Sequence, residues 1–530
     1  MSLPAGSPPC VLHEDEHVLA VDKPAGWNTH APAPYAGEGI YEWLRDREPR
    51  WAELALVHRL DKDTSGVLLF AKTAVARRSL TAQWQRHEIT KHYALLTDRP
   101  VPQAGLRVES AIVRDGARYV ARPGHGEAAA VTLFGAPVPA GRATRVDAEP
   151  LTGRTHQIRV HAAASGFPVL GDMLYGGSPA ARLHLHAERL CYRDPASGAP
   201  VCLESPADFT RDARVALRVA CIDPAVTSAW RLYHGGADGW PGWQVDRLGD
   251  WLLAQSEQAP SPEQLAGLQA AAGRGVYVKT LAREVRRLAP AEAAPRLAAG
   301  TVAPERFTVV ENGVQFELAL GEGYSTGLFL DQRDNRRRLL TGHIAAGFPL
   351  WLDPAVPREV LNAFAYTCGF SVCAALGGAR VTSLDLSRRY LDWGRRNFAL
   401  NGLDPAAHDF IYGDAFDWLA RLARKGRRFG VVVLDPPTFS QSKAGGRFRL
   451  EADAGRLVAA ALPLLAPGGV LLACANTARL APQRFVDDVR GAIADAGRRI
   501  VQEHYVPQPP DFPVSRVDPA YLKTLWLRID

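Results

Sequence analysis

The chain changes its hydrophobic rhythm part-way along. Up to about Thr210 apolar and polar residues alternate in short runs, as in Thr90-Lys91-His92-Tyr93-Ala94-Leu95, which predicts half-buried strands and few long helices. The segment Pro9–Thr210 thus reads as α+β with mainly antiparallel sheet. It closes in Pro- and Gly-bearing linker stretches at Asp194–Pro200 and Ser205–Arg214. Between Ile222 and Leu340 the stretch Arg231–Trp251 sets Gly and Asp turns between apolar pairs, again a β pattern. From about Arg358 strands and helices alternate over Glu359–Phe364, Phe370–Leu376, Val381–Leu386, Arg388–Leu400 and Val431–Leu434. The last run has no polar face, as a central strand covered on both sides requires. This is the pattern of an α/β, doubly wound, Rossmann-like sheet. The uncharged stretch Leu457–Ala475 is about as long as a membrane span. Pro467-Gly468-Gly469 would break such a helix, so a helix, a tight turn and the buried strand Val470–Cys474 are expected. The chain divides into residues 9–210, 222–340 and 341–530.

Composition changes this picture little. The 530 residues suit three or four domains, and 47% hydrophobic with 22% charged residues excludes wholesale disorder. Lys+Arg 62 against Asp+Glu 56 gives +6, which permits nucleic acid as a partner without demanding it. The seven cysteines are scattered, with no metal-ligand spacing, and point to a reducing compartment. Met1–Cys10 has neither a basic nor an apolar region and reads as a loose leader, not an export signal; a cytoplasmic location follows.

Two polar strings carry chemistry in the first segment. Val57-His58-Arg59-Leu60-Asp61-Lys62-Asp63-Thr64-Ser65-Gly66 sets Arg59 and Asp61 two residues apart, on one face of an extended backbone. Thr152-Gly153-Arg154-Thr155-His156-Gln157-Ile158-Arg159-Val160-His161 opens a short helix that Gly166 can close, and supplies Arg159 as a cationic partner for a buried carboxylate. With the Lys91-His92-Tyr93-Ala94 strand, these resemble the signatures of the RluA-type pseudouridine synthases, over about Val11–Asp208. The resemblance implies a cofactor-independent isomerisation of uridine in RNA. It makes Asp61 the nucleophile or acid/base carboxylate that detaches the base. Tyr93 stacks on the uracil, Arg159 keeps Asp61 ionised, and Arg59, beside His58, fills the gap left by the flipped uridine. His184 and His186, two apart on a strand, read as structural; no metal is implied.

In the last segment Leu361–Phe370 is a strand and turn, with Phe364, Tyr366, Thr367 and Gly369 where a ligand meets a helix N-terminus. Asp385 ends the second strand, where it either holds ribose hydroxyls or caps the next helix with Ser387; Asp414 either reaches an adenine amino group or caps Phe416–Leu422. Asp435-Pro436-Pro437-Thr438-Phe439 stiffens a loop at the carboxyl end of the sheet. There is no Gly-x-Gly-x-x-Gly for a nicotinamide cofactor. The set is similar to class I methyltransferases. Together with Asp238–Arg247 and Thr326–Arg333 it resembles the large-subunit rRNA methyltransferases of the RlmI and RlmK kind, from about Arg231 to the C-terminus. The resemblance implies S-adenosyl-L-methionine as donor and rRNA as partner, tRNA being open for the first site. It also implies a β-rich, RNA-facing middle domain, and Asp435, Pro436, Pro437 and Phe439 around the target base.

Carbon 5 of cytosine needs a thiolate on carbon 6, whereas guanine N7 has its own lone pair. In the cytosine-modifying relatives the nucleophile matches Asn476 here, with Cys474 two residues earlier. Guanine N7 is the expected target, cytosine C5 the alternative. A non-catalytic ribosome assembly factor and a small-molecule methyltransferase are the other classes. Cys368 stands where relatives have Gly and is expected to narrow the donor pocket; the basic run Arg333–Arg338 is expected to be a solvated helix face.

Overall fold

A computed structural model describes residues 7–102, 105–124, 129–281, 294–321, 325–441, 447–515 and 518–530. The first part of the expected leader, and Ser442-Lys443 after the proline loop, lie outside these. The chain forms two compact units, one mainly of residues before Asp223 and one mainly of residues after it.

The first unit is built on a twelve-stranded sheet. Its main path runs Val11–Glu14, Val18–Lys23, Ser65–Ala71, Leu185–Arg193, Thr90–Thr97, Ala143–Pro150, Ala130–Phe134, Leu106–Asp115, Arg118–Arg122. Pairing is antiparallel except where Leu185–Arg193 lies parallel to Ser65–Ala71. That parallel contact explains the Thr-Ser-Gly string. Gly66 has φ +115°, and a Cβ there would lie 2.2 Å from the carbonyl oxygen of Ala187. Asp194–Ala199 is not a linker but the tight turn of a hairpin, because Asp194 accepts the amides of Ala196 and Ser197. The hairpin sets Cys191 directly opposite Cys202, and the two are joined by a disulfide, against the expectation of scattered thiols.

The second unit holds a five-stranded sheet, Ala229–His234, Gln244–Leu248, Trp251–Ser256, Gly275–Thr280, Arg296–Gly300, and a seven-stranded one. The latter runs Asp409–Tyr412, Arg380–Asp385, Glu359–Ala363, Phe429–Leu434, Leu465–Asn476, Leu522–Ile529, Ile500–Pro507. The first five are parallel and the last two pairings antiparallel, only Leu522–Ile529 running the other way, so the carboxyl ends of the five parallel strands share one rim. Phe429–Leu434 is buried throughout, as its composition demands. The expected helix is Leu450–Ala461, and Pro467-Gly468-Gly469 falls inside the strand Leu465–Asn476 as an irregularity of its pairing, between the partnered Leu465 and Val470, with Gly468 at φ +71°.

The helix Arg333–Thr341 also departs from expectation. Arg333, Arg336 and Arg338 are buried. Arg333 donates to both oxygens of Asp511 (2.9 and 2.6 Å), Arg336 to both of Glu311 (2.7 Å each), and Arg338 to the carbonyl of Ile344 (2.8 Å). The two carboxylate acceptors, Glu311 and Asp511, lie 25 and 178 residues away, which is why a run of cations looked exposed. Such pairs fix geometry more than they add stability.

Candidate active sites

In the first unit a cavity of about 360 Å³ is lined by His58, Arg59, Asp61, Tyr93, His156 and Arg159, among others. Asp61 sits in a turn closed by Thr64 N–H on the Asp61 carbonyl (3.2 Å). The turn is tied down by the buried Lys23, whose ammonium donates to the carbonyls of Pro24 (2.9 Å), Trp27 (2.8 Å) and Lys62 (2.9 Å); burial lowers its pKa to about 7. Arg159 reaches Asp61 at 3.4 Å, but its stronger partner is Asp172, bound at 2.6 and 2.9 Å. Arg159 is thus clamped bidentately from behind and presents its remaining nitrogen to Asp61.

His156 adds a contact that the sequence reading missed. It opens the helix Gln157–Ala164 in the left-handed region (φ 57°), with Nε2 3.7 Å from Asp61 Oδ2. Tyr175 Oη accepts from the Tyr119 amide (3.0 Å) and lies 2.8 Å from His156 Nδ1. Oη and Nδ1 share this hydrogen bond, which orients the ring so that Nε2 faces the carboxylate. Burial pushes the imidazole below its ordinary pKa in spite of Asp61 beside it.

Tyr93 projects into the cavity from its strand; burial, with Asp61 next, pushes its phenol pKa up, so it offers a ring face and not a phenolate. His58 is held neutral, its pKa down to about 3 by burial, and accepts the Leu69 amide at 3.0 Å while packing on Trp84; Arg59 is exposed. His186 and His184 bond to Ser65, Ser205 and backbone carbonyls, as structural side chains do. Asp172, Tyr175 and His156 had no signal beyond the Thr-His-Gln string itself.

In the second unit a cavity of about 790 Å³ opens at the carboxyl ends of the parallel strands. It brings together all the residues expected there: Phe364, Tyr366, Thr367, Gly369, Asp385 and Asp414 on one side, and Asp435, Pro436, Pro437, Phe439 and Asn476 on the other. The loop after Glu359–Ala363 places Phe364, Tyr366 and Cys368 at φ 62°, 49° and 64°. It is held there by named bonds. Asp385 accepts the Tyr366 amide and the Ser387 amide, both at 2.8 Å, Gly327 N–H donates to the Tyr366 hydroxyl at 2.9 Å, and Asn397 donates to the Thr367 carbonyl at 2.9 Å. Asp385 thus braces this loop and lines the cavity, while the cap of Arg388–Leu400 is the Ser387 hydroxyl, which accepts the Tyr390 amide; Asp414 caps Ala415–Arg424 through the Phe416 amide (2.9 Å) and also lines the cavity.

Cys368 does not narrow this cavity. Its side chain is wholly buried, is absent from the described lining, and packs against Gly394. A Cβ on Gly394 would lie 2.3 Å from its sulfur. Gly394→Ala is expected to cost about 1–3 kcal/mol of stability and to weaken donor binding, as overpacking does. Cys368→Gly in the same chain should recover both, measured by thermal unfolding and calorimetry.

Asp435 is the most perturbed carboxyl here. Burial, with Asp331 next, raises its pKa to about 7, and Gln332 and the Cys474 thiol hydrogen-bond to it. Cys474 itself is buried behind Asp435, and burial and that carboxylate hold its thiol well above the ordinary range. No cysteine lines the cavity among the described residues.

Residues 230–528 match the S-adenosylmethionine-dependent methyltransferases and residues 17–164 the RNA pseudouridylate synthases. The chain belongs to the S-adenosylmethionine-dependent methyltransferase family, joined to an RNA pseudouridylate synthase domain. Within that family it is 34% identical to a "Ribosomal RNA large subunit methyltransferase" of Deinococcus radiodurans, over 60% of this chain and 78% of that one. It is 33% identical to "Ribosomal RNA large subunit methyltransferase I" of Klebsiella pneumoniae (strain 342), over 57% and 74%. The methyltransferase SMU.776, solved with SAH, covers 64% of this chain and 87% of its own at 25% identity and a TM-score of 0.51. The methyltransferase half uses S-adenosylmethionine; the synthase domain needs no cofactor. The donor carries an electrophilic methyl on a sulfonium. The residues present fit it: five carboxylates, Asp331, Asp385, Asp414, Asp417 and Asp435, against three arginines, Arg336, Arg447 and Arg456, line a cavity of sufficient size and favour a cationic guest. No helix among the described residues is long and apolar enough to cross a membrane.

Proposed function

We propose that this chain isomerises uridine in RNA at Asp61 and methylates guanine N7 in large-subunit rRNA at the Asp435 cavity, acting in the cytoplasm. The domains are residues 9–210, 222–340 and 341–530. Rotation of a detached uracil needs a carboxylate that is oriented and partly shielded; Arg159 and His156, both facing Asp61, give it direction, and Tyr93 supplies a stacking face. Arg59, exposed at the rim, replaces the flipped base, beside His58. In the second site Phe364, Tyr366, Thr367, Gly369, Asp385 and Asp414 hold the donor, and Pro436, Pro437, Phe439 and Asn476 hold the base next to Asp435.

The choice of N7 rests on one observation: the described wall of the cavity contains Asn476 and no thiol. Cytosine C5 chemistry requires a thiolate in contact with the base, and Cys474 is buried with its pKa raised. The relatives' printed names support rRNA as substrate.

The test is nucleoside mass spectrometry of unmodified rRNA incubated with the chain and deuterated S-adenosylmethionine. Labelled 7-methylguanosine and new pseudouridine are expected, and Cys474→Ala should leave the label in place. Label in 5-methylcytidine, lost in Cys474→Ala, would overturn the N7 reading.

A further inference from the structure

The seven-stranded sheet ends at Asp409–Tyr412, whose outer edge pairs with no strand among the described residues. Beside it runs a groove of about 650 Å³, lined by Arg395, His408, Phe410, Trp418, Lys425 and Arg427 among others. Cations and rings interleave along this edge. Arg395 stands 4.6 Å from the Phe410 ring centre, Arg421 5.3 Å from Trp418 and Arg388 4.7 Å from Tyr412.

The charge is neutralised only in part. Arg427 pairs with Glu359 and shares Asp409 with Arg380, and Arg395 takes Asp392. Arg388, Arg421, Arg424 and Lys425 are exposed, and none has a carboxylate within ion-pair distance among the described residues. Helix electrostatics accounts for only part of this. Arg421, Arg424 and Lys425 end the helix Ala415–Arg424, where cations suit the dipole, but Arg388 begins Arg388–Leu400, where a cation opposes it.

The groove also leads somewhere. Trp418 donates through its indole to the Tyr412 carbonyl at 3.2 Å, and the adjoining Gly413, Asp414 and Phe416 line the donor cavity. We propose that this sheet edge holds a single-stranded segment of the RNA substrate, with Lys425 and Trp418 in the groove and the exposed Arg388, Arg421 and Tyr412 beside it, phosphates on the cations and bases against the two rings. Stacking platforms alternating with cations are what unpaired nucleic acid requires. A peptide strand is a poorer guest, because the free edge is four residues long and rimmed by charge. The inference rests on the RNA methyltransferase reading and adds where the RNA lies.

The test compares the full chain with Arg388→Glu/Arg421→Glu/Lys425→Glu on unmodified in-vitro-transcribed large-subunit rRNA. The RNA KM for methyl transfer should rise about tenfold or more at low salt, and the salt slope of binding should fall by about two to three, near one per phosphate lost. The kcat, the Kd for S-adenosylmethionine and pseudouridine formation should be unchanged. The triple Gln variant should give a smaller shift of the same kind, which separates lost contact from repulsion or misfolding. An unchanged KM and slope, or a raised KM with an unchanged slope, would overturn the groove assignment while leaving the methyltransferase reading intact. If the unaltered chain transfers no methyl group to RNA, both fall.

Discussion

Asp61→Asn should abolish pseudouridine formation, by at least about a thousandfold, while methyl transfer by the same molecule stays unchanged. The structure says why this loss would be chemical and not structural. Arg159 keeps its bidentate grip on Asp172 when the Asp61 charge is removed, so no buried cation is orphaned. The amide is isosteric and the Lys23 anchor acts on backbone carbonyls, so the turn holds its shape. What disappears is the anionic oxygen on which the detached sugar or base depends. Counting pseudouridine and methylated nucleosides in one digest checks both halves of the claim. Equal loss of both products would mean that the substitution unfolds the chain.

Asp435→Asn should lower methyl transfer by about a hundredfold or more, yet make the ligand-free protein more stable at alkaline pH. The sign follows from the raised carboxyl. With a folded pKa of about 7 and an unfolded one of 3.8, Asp435 binds more protons when folded, so its stability contribution is fully present below pH 3.8 and is lost as pH rises through about 7. Asparagine cannot ionise and escapes that loss: the variant should gain more on the parent at pH 8 than at pH 5. A cationic donor favours the ionised carboxylate, so S-adenosylmethionine should bind the parent more weakly as pH falls below about 7. S-adenosylhomocysteine, which lacks the sulfonium, should show little of this dependence. Thermal unfolding and calorimetry at the two pH values decide it; a donor affinity in Asp435→Asn that varies with pH as in the parent would contradict this account.

Much of this was legible because the decisive signals are local. Val431-Val432-Val433-Leu434 can only be a strand covered on both faces, and the residues around Asp61, Arg159 and Asp435 stand in compact strings. What escaped depends on residues distant in sequence. Asp172 and Tyr175 lie in a loop without a motif, and their importance appears only when Arg159 and His156 turn toward them. The arginines of Arg333–Thr341 look solvated until Glu311 and Asp511 arrive from elsewhere in the chain. Gly468 marks a break in any local pattern, and the ladder resumes on either side of it, at Leu465 and Val470. The fate of Cys368 turned on one absent side chain, that of Gly394.

The donor loop, with Phe364, Tyr366 and Cys368 all left-handed, has a consequence for how this protein can change. Glycine would adopt each of those conformations without strain, so a sequence drifting toward ease of folding alone would accumulate glycine there. It would then lose the rings of Phe364 and Tyr366 that line the cavity at the carboxyl ends of the parallel strands. Each such exchange relaxes the backbone and erodes a binding surface at the same position. Variants selected for heat resistance should therefore mutate freely around this loop and spare its two aromatic positions only when methyl transfer is selected at the same time.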